Sequence, residues 1–518
     1  MGLFRSAATV SAFTLLSRIT GLIRDILVAS TFGAGPLTDA FWVAFRIPNL
    51  LRRLFAEGAF AQAFVPIIGQ ARSTESHERV QQILDRVALL LTVALMLVTL
   101  GGIVLAPWVV GAMATGMLKA SNKEGFDAAV WMTRMMFPYI LCMSLVAFAS
   151  GILNTWRNFV VPAFTPVLLN VCMIIACIWL TPYFSEPIYA LSAGVMAGGA
   201  SQLAVQWAAL VKIGLAPKIS KNLRSAWSDS TVQFLMRQMM PAIIGVSVAQ
   251  ISILINTNIA TWLQSGSVTW LSFADRLMEF PTALLGVALG TVLLPNLSSA
   301  FAQGKANEYS SLMDWGLKLT VILGLPAAAG MAALSDGLVA TLFNYGAFNQ
   351  SDVAQTKLAV MSYAVGLPGI LAVKILAPGF YARKNIKTPV KIAVIVLITT
   401  QLLNLLLVPY LGHAGLALSI GIGGCINAVA LLFLLRKQKI YQPSYDWVIF
   451  IIKVIIPVAA MTSSVLYINN YIDWIALADH PAKRAFTLFT VVGLAVTIYA
   501  ISLYIAGFRL RHFTQRSF

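Results

Sequence analysis

Fourteen apolar runs, each long enough to cross a lipid bilayer, constrain this chain more than any other feature. A hydrocarbon core about 30 Å thick needs about 20 mostly apolar residues in helical form. Such runs cover 8–31, 37–70, 86–114, 127–153, 160–182, 188–212, 232–263, 268–300, 311–335, 353–381, 388–410, 414–435, 447–470 and 485–507. The second, seventh and eighth exceed a straight span and contain or border Pro48, Pro241 and Pro281, where kinks or breaks are expected. Of 518 residues, 59% are hydrophobic and 11% are charged, with a mean hydropathy of +0.82. Soluble domains carry about 25% charged residues. A soluble chain of this composition would expose one unbroken apolar surface. The chain therefore reads as an all-α polytopic membrane protein with 14 transmembrane helices. Soluble enzymes, DNA-binding proteins, disordered chains and disulfide-rich secreted domains are excluded as whole-chain classes.

The net charge of +17 arises from 36 Lys+Arg against 19 Asp+Glu. In a soluble chain it would raise the question of nucleic acid; here loop charge under the positive-inside rule covers about half of the basic residues. Alternate loops and both tails hold 17 of them, including Arg72, Arg157, Lys218, Lys305, Arg383 and Arg436. The opposite loops hold 4: Lys119, Lys123, Lys483 and Arg484. This bias puts both termini in the cytoplasm and favours an even number of spans. The first run holds Arg18 and Arg24 and lacks an A-x-A-like cleavage site, so it is expected to be a retained helix. Cys142, Cys172, Cys177 and Cys425 lie in apolar runs without a CxxC spacing, and are expected to be buried free thiols.

The two halves echo one another. Arg157-Asn158-Phe-Val-Val-Pro162 recurs as Lys384-Asn385-Ile-Lys-Thr-Pro389, at an offset of 227. Arg46 with Pro66 parallels Arg276 with Pro295, at offsets of 230 and 229. The near-constant offset implies duplication of a six-helix unit. An even-numbered unit keeps its orientation, giving parallel repeats that hold substrate between them near the midplane. The expected divisions are 1–220 for the first lobe, 221–440 for the second, and 441–518 for helices 13 and 14 with a basic tail.

Charged side chains inside the apolar runs carry the chemistry. The first run reads Ser17-Arg18-Ile-Thr-Gly21-Leu-Ile-Arg24-Asp25. Ser17, Gly21 and Arg24 share one helical face, with Arg18 and Asp25 in the neighbouring column. A central arginine costs about 2.5–3.5 kcal/mol on insertion scales, so it should face a polar cavity or a partner. The second run carries Asp39, Arg46, Asn49, Arg52, Arg53 and Glu57, and the eighth carries Asp275, Arg276 and Glu279. Across these runs 6 bases meet 5 acids, so internal ion pairing competes with ligand binding. Every base is arginine, whose planar fork suits bidentate phosphate recognition and stays charged when buried. The reading is an anionic, phosphate-bearing ligand between the lobes. No P-loop, H-E-x-x-H or DxD pair occurs, and no loop is long enough to house a catalytic domain. No enzyme, catalytic residue, cofactor or metal is expected. An exporter of a drug cation, an exporter of another polyprenyl-linked glycan, and a non-transporting cell-wall scaffold remain open on these residues alone.

SRITGLIRD, FGAGPLTDAFWVAFRIPNLLRRLFAEGAFAQAFVP, ADRLMEFPTALLGVALGTVLLPNLS and KILAPGFYARKNIKTPVKIA make the chain resemble the MurJ (MviN) family of lipid II flippases. The resemblance covers essentially the whole length. It implies the multidrug/oligosaccharidyl-lipid/polysaccharide (MOP) exporter fold, with two pseudo-symmetric six-helix lobes plus helices 13 and 14. It implies that lipid II, an undecaprenyl-pyrophosphate-linked peptidoglycan precursor, is moved from the inner to the outer leaflet of the bacterial inner membrane. By similarity, Arg18, Arg24, Arg52 and Arg276 match the family's required cavity arginines, and Ser17, Asp25, Asp39, Asn49 and Glu57 match its other sensitive cavity positions. Helices 13 and 14 would offer a groove to the lipid tail. The implied partners are lipid II, membrane lipid and cell-wall synthesis proteins, with no nucleic acid and a monomeric chain.

Overall fold

A computed structural model describes residues 3–52, 60–119, 122–218 and 222–509, with side chains described outside 3–8, 51–62, 239–249 and 284–292. Among these residues the chain is helical with no strand. This follows from the apolar environment, where every backbone N–H and C=O must be satisfied within the segment. Each expected run carries a helix or a broken pair of helices. Nine helices among the described residues are long and apolar enough to cross a membrane.

The packing divides the chain into two compact units, Met1–Val268 and Thr269–Phe518. The first contains α1 (Leu3–Phe32), α2 (Pro36–Arg52), α3 (Phe60–Thr74), α4 (His77–Val104), α5 (Ala106–Met113), α6 (Lys123–Met136) and α7 (Tyr139–Thr155). It continues through α8 (Val160–Ile175), α9 (Tyr189–Lys212), α10 (Leu223–Trp227) and α11 (Ser230–Thr261). Within it α1 packs on α8, α2 on α6 and α7, and α11 on α3, α4 and α5. The packing thus groups the first helix of the second sequence repeat with the first unit.

The second unit contains α12 (Ser267–Ala302, entering it at Thr269), α13 (Ala306–Ala333), α14 (Ser335–Phe343) and α15 (Gln350–Tyr381). It ends with α16 (Lys387–Leu411), α17 (His413–Lys437), α18 (Trp447–Asn469) and α19 (Pro481–Ile505). The α15–α17 crossing is backbone on backbone. A Cβ built on Gly366 would lie 2.1 Å from the Gly421 Cα. Close approach at small residues gives helices in lipid their attraction, since tails are as apolar as leucine.

None of the three expected prolines breaks its helix. The helices run without interruption through Pro48, Pro241 and Pro281. One missing N–H is tolerated in a membrane helix whose neighbours re-satisfy the freed carbonyl. The breaks fall at Pro107 and Pro138 instead, which open α5 and α7. There the ring sits where a helix N-terminus needs no intrahelical donor.

The two matching sequence segments close their helices alike. After α7, Arg157 adopts φ 61°, donating to the Asn154 carbonyl, and Asn158 donates to Leu153. After α15, Lys384 adopts φ 58°, donating to Tyr381, and Asn385 donates to Phe380. Every atom pair is displaced by 227 residues. The ends of α9 and α17 repeat the motif, with Gly214 at φ 72° and Lys439 at φ 52°.

Candidate functional site

Helix α1 brings together three of the residues singled out by sequence. Arg24 is 4% exposed and Asp25 is 1% exposed. A guanidinium so placed requires a counter-charge and hydrogen-bond acceptors. Arg24 supplies Nε and Nη2 to Asp25 Oδ1, at 2.9 and 2.6 Å, and Nη1 to Asn170 Oδ1 at 3.0 Å. Asn170 lies on α8, and its Nδ2 donates to the Ser17 carbonyl at 2.9 Å and to Thr20 Oγ1 at 3.2 Å. Ser17 therefore enters through its backbone. Gly21 sits at the contact, where a Cβ would lie 3.4 Å from Asn170 Nδ2. The glycine thus leaves room for the Asn170 side chain of α8.

Arg18 is different. It is half-buried, and no described residue hydrogen-bonds to its guanidinium or pairs with it. One arginine of α1 is thus neutralised in place while another, less than two turns away, keeps its donors open among the described residues.

On α2, Asp39 is 5% exposed, and its Oδ2 accepts the Gly266 N–H at 2.7 Å. Gly266 has φ 96° immediately before α12, a conformation suited to glycine. Asp39 thus fastens the chain at the start of α12 inside the first unit. Arg46 donates from Nη1 to Thr257 Oγ1 on α11, and Thr257 in turn donates to the Ile253 carbonyl. Asn49 is half-buried on the same helix. Arg52 closes α2 with its side chain outside the described set, and Arg53 and Glu57 lie outside the described residues.

In the second unit, α12 presents Arg276, whose Nη1 donates to Glu279 Oε2 at 2.8 Å. The two side chains are 31% and 36% exposed, so the pair is only partly buried. Asp275 beside it is exposed. Chemically, Arg18 and Arg276 each present donors that suit an oxyanion, one on each unit. Arg24 and Asp39 are in addition tied within the fold, Arg24 to Asp25 and Asn170 and Asp39 to the Gly266 N–H. Among the described residues no group of His, Cys, Asp and Glu could hold a metal ion.

Asn170, Thr257 and Gly266 were not legible as site neighbours. Asn170 alone left a signal, as the amide in the apolar run of α8. Gly266 contributes only a backbone N–H, which carries no side-chain signature.

The chain matches the family model described as lipid II flippase MurJ over residues 28–481. The lipid II flippase MurJ of Burkholderia cenocepacia is 47% identical over 517 residues, covering all of both chains. The probable lipid II flippase MurJ of Vibrio cholerae is 36% identical over 515 residues, covering 98% of this chain and 97% of the other. A solved lipid II flippase MurJ, in an inward closed conformation, matches with a TM-score of 0.81 at 24% identity, over 96% of this chain and 98% of that one. An inward-facing multidrug resistance MATE family transporter of the MOP superfamily matches with a TM-score of 0.69 at 13% identity, over 84% and 98%. The solved structures establish a shared fold, and the length and identity of the sequence matches establish descent. This chain belongs to the MurJ lipid II flippase family.

Proposed function

We propose that this protein carries lipid II from the cytoplasmic to the periplasmic leaflet of the bacterial inner membrane, with both termini in the cytoplasm. The observation that carries this reading is 47% identity, over all of both chains, to a curated lipid II flippase. The physics agrees with it. A pyrophosphate with a sugar–peptide headgroup cannot enter hydrocarbon unaided, because its charge would lose hydration with no replacement. Guanidinium groups replace that hydration with charge-assisted hydrogen bonds. Arg18, half-buried, and Arg276, 31% exposed, are the more accessible guanidinium groups. Arg24, aimed by Asp25 and Asn170, and Arg52 complete the set, with Ser17, Asp39, Asn49 and Glu57 as the other cavity positions. Transport proceeds by alternating access between lobes of 1–220 and 221–440, the prenyl tail remaining in lipid along 441–518. The protein acts as a monomeric transporter rather than an enzyme, and cell-wall synthesis proteins handle lipid II before and after it. A negative-inside potential favours outward movement of an anion by about 2.3 kcal/mol per charge per 100 mV.

The test is headgroup accessibility of lipid II in cells depleted of this protein, complemented with wild type or with Arg18, Arg24, Arg52 or Arg276 replaced by alanine and checked for expression. Cytoplasmic retention without wild type, and with the variants, is the expected result. Periplasmic arrival regardless would refute the reading.

A further inference from the structure

The α18–α19 hairpin lies outside the duplicated helices, and most of its surface is apolar and exposed. Lipid tails are as apolar as such a surface, so hydrophobicity alone does not seat a helix pair against its neighbours. Polar contacts supply the seat, and they occur at both ends of the hairpin.

At one end Asp314 of α13 is the hub. It accepts the Tyr441 hydroxyl and the Trp447 indole N–H, each at 2.6 Å, and the Ser444 hydroxyl at 2.8 Å. Lys318, one turn along α13, reaches Asp314 at 3.1 Å and Asp446 at 2.8 Å. Asp314 and Lys318 are 8% and 3% exposed, so the centre of this ion cluster is buried, while Asp446 at its edge is 44% exposed. Trp447 opens α18 and Asp446 precedes it, so the cluster grips the first turn of the hairpin.

At the opposite end Arg484, in the first turn of α19, is completely buried. No described carboxylate pairs with it. Its Nη1 donates to Asn344 Oδ1 at 3.2 Å and to the Trp474 carbonyl at 3.4 Å, and its Nη2 donates to the Asn344 carbonyl at 3.0 Å. Its guanidinium also lies 4.6 Å from the centre of the Tyr345 ring. Trp474 itself packs on α14, where a Cβ on Gly337 would lie 2.8 Å from the indole. Between the two ends, the Tyr499 hydroxyl donates to the Ile322 carbonyl of α13 at 2.6 Å.

Buried charges in a membrane protein carry a desolvation cost and are maintained for a role. Neither cluster lies on a helix assigned to the anion, and both join the hairpin to the same bundle. Fastening a helix pair at both ends removes its freedom to tilt and rotate, which one contact would leave. We propose that Asp314 and Arg484 are positioning residues that lock the hairpin to α13 and α14, so that these helices travel as one body during transport. On the flippase reading, on which this part rests, the hairpin is then a fixed wall for the prenyl tail rather than a moving gate.

The test uses Gly330→Cys with Met461→Cys in a full-length chain whose native cysteines are replaced, since a Cβ at 330 would lie 3.9 Å from Met461 Cε. A short bismaleimide bridges the two in native membranes. Efficient bridging is expected with both locks intact, and a loss of bridging with Asp314→Asn or Arg484→Met. Trp447→Phe, which deletes one donor while keeping an aromatic ring, is the milder variant should Asp314→Asn fail to accumulate. Unchanged bridging in the accumulating variants at both ends would overturn the locks. In proteoliposomes loaded with lipid II, the bridged protein should flip as fast as the unbridged one. A bridge that stops transport while the unbridged protein works would overturn the one-body proposal. An unbridged protein that moves no lipid II would remove the substrate reading, while the bridging yields still decide the locks.

Discussion

Arg157 and Lys384 hold the same left-handed backbone conformation, φ 61° and 58°, at positions 227 residues apart. Each closes a helix by donating three residues back, and the asparagine after each donates five residues back. The left-handed region costs an L-residue about 1–2 kcal/mol. Its appearance after both matching sequence segments accords with the duplication read from the sequence. The Arg157 and Lys384 side chains also place positive charge at helix C-termini, where the dipole favours it.

Replacing Lys384 by glycine should raise stability by about 0.5–1 kcal/mol, because glycine adopts this conformation without a Cβ penalty. Lys384→Val should lower it, since a β-branched residue is a poor fit there. Thermal unfolding of purified protein in detergent measures both. A glycine variant less stable than wild type would contradict the account.

Asp25→Asn should destabilise the protein by about 3–5 kcal/mol, because it leaves the Arg24 guanidinium buried without its counter-charge. Arg24→Met combined with Asp25→Leu should recover most of that loss. Arg18→Ala should change stability by less than about 1 kcal/mol, as expected for a residue with no partner among the described residues. On the proposed function it should nevertheless abolish transport. The comparison of unfolding with lipid II accessibility separates the two kinds of arginine.

Asp229 caps α11 just before its span and accepts from Arg79 at 2.8 Å and from Arg86. Burial pushes its carboxyl up, but the hydrogen bonds from Arg79, Arg86 and the Val232 and Thr231 amides together hold it below its ordinary 3.8. A depressed folded pKa means that this stabilisation is present above the unfolded value of about 3.9 and is lost as pH falls through the lower folded value. Asp229→Asn should therefore show a constant stability deficit from neutral pH down to about pH 5, shrinking below about pH 4. A deficit that did not change with acidification would locate the effect elsewhere.

Gly366→Ala should cost about 3 kcal/mol or more, or abolish folded yield, because backbone at Gly421 has nowhere to retreat. Gly111→Ala is the control, since nothing lies within 4 Å of the added Cβ, and it should be neutral or slightly stabilising. Yield and unfolding temperature of the two variants decide the matter.

Much of this protein was determined along the chain itself. Apolar length placed the helices, and loop charge and the repeats at 157 and 384 implied their orientation and two related halves. The intramembrane arginines could be named because charge inside an apolar run is visible one residue at a time. What only the tertiary structure decided is which charges are spent on the fold. Arg24 and Arg18 look alike in sequence, yet Arg24 is tied to Asn170, 146 residues away, and Arg18 has no described partner. Asp39 receives a backbone N–H from 227 residues downstream, which no local pattern announces. The packing of α11 with the first unit was equally hidden, although duplication counts it with the second half. The reason is physical. Periodicity reports which face of a helix is apolar, whereas neutralising a charge depends on an acceptor within about 3 Å supplied by another element.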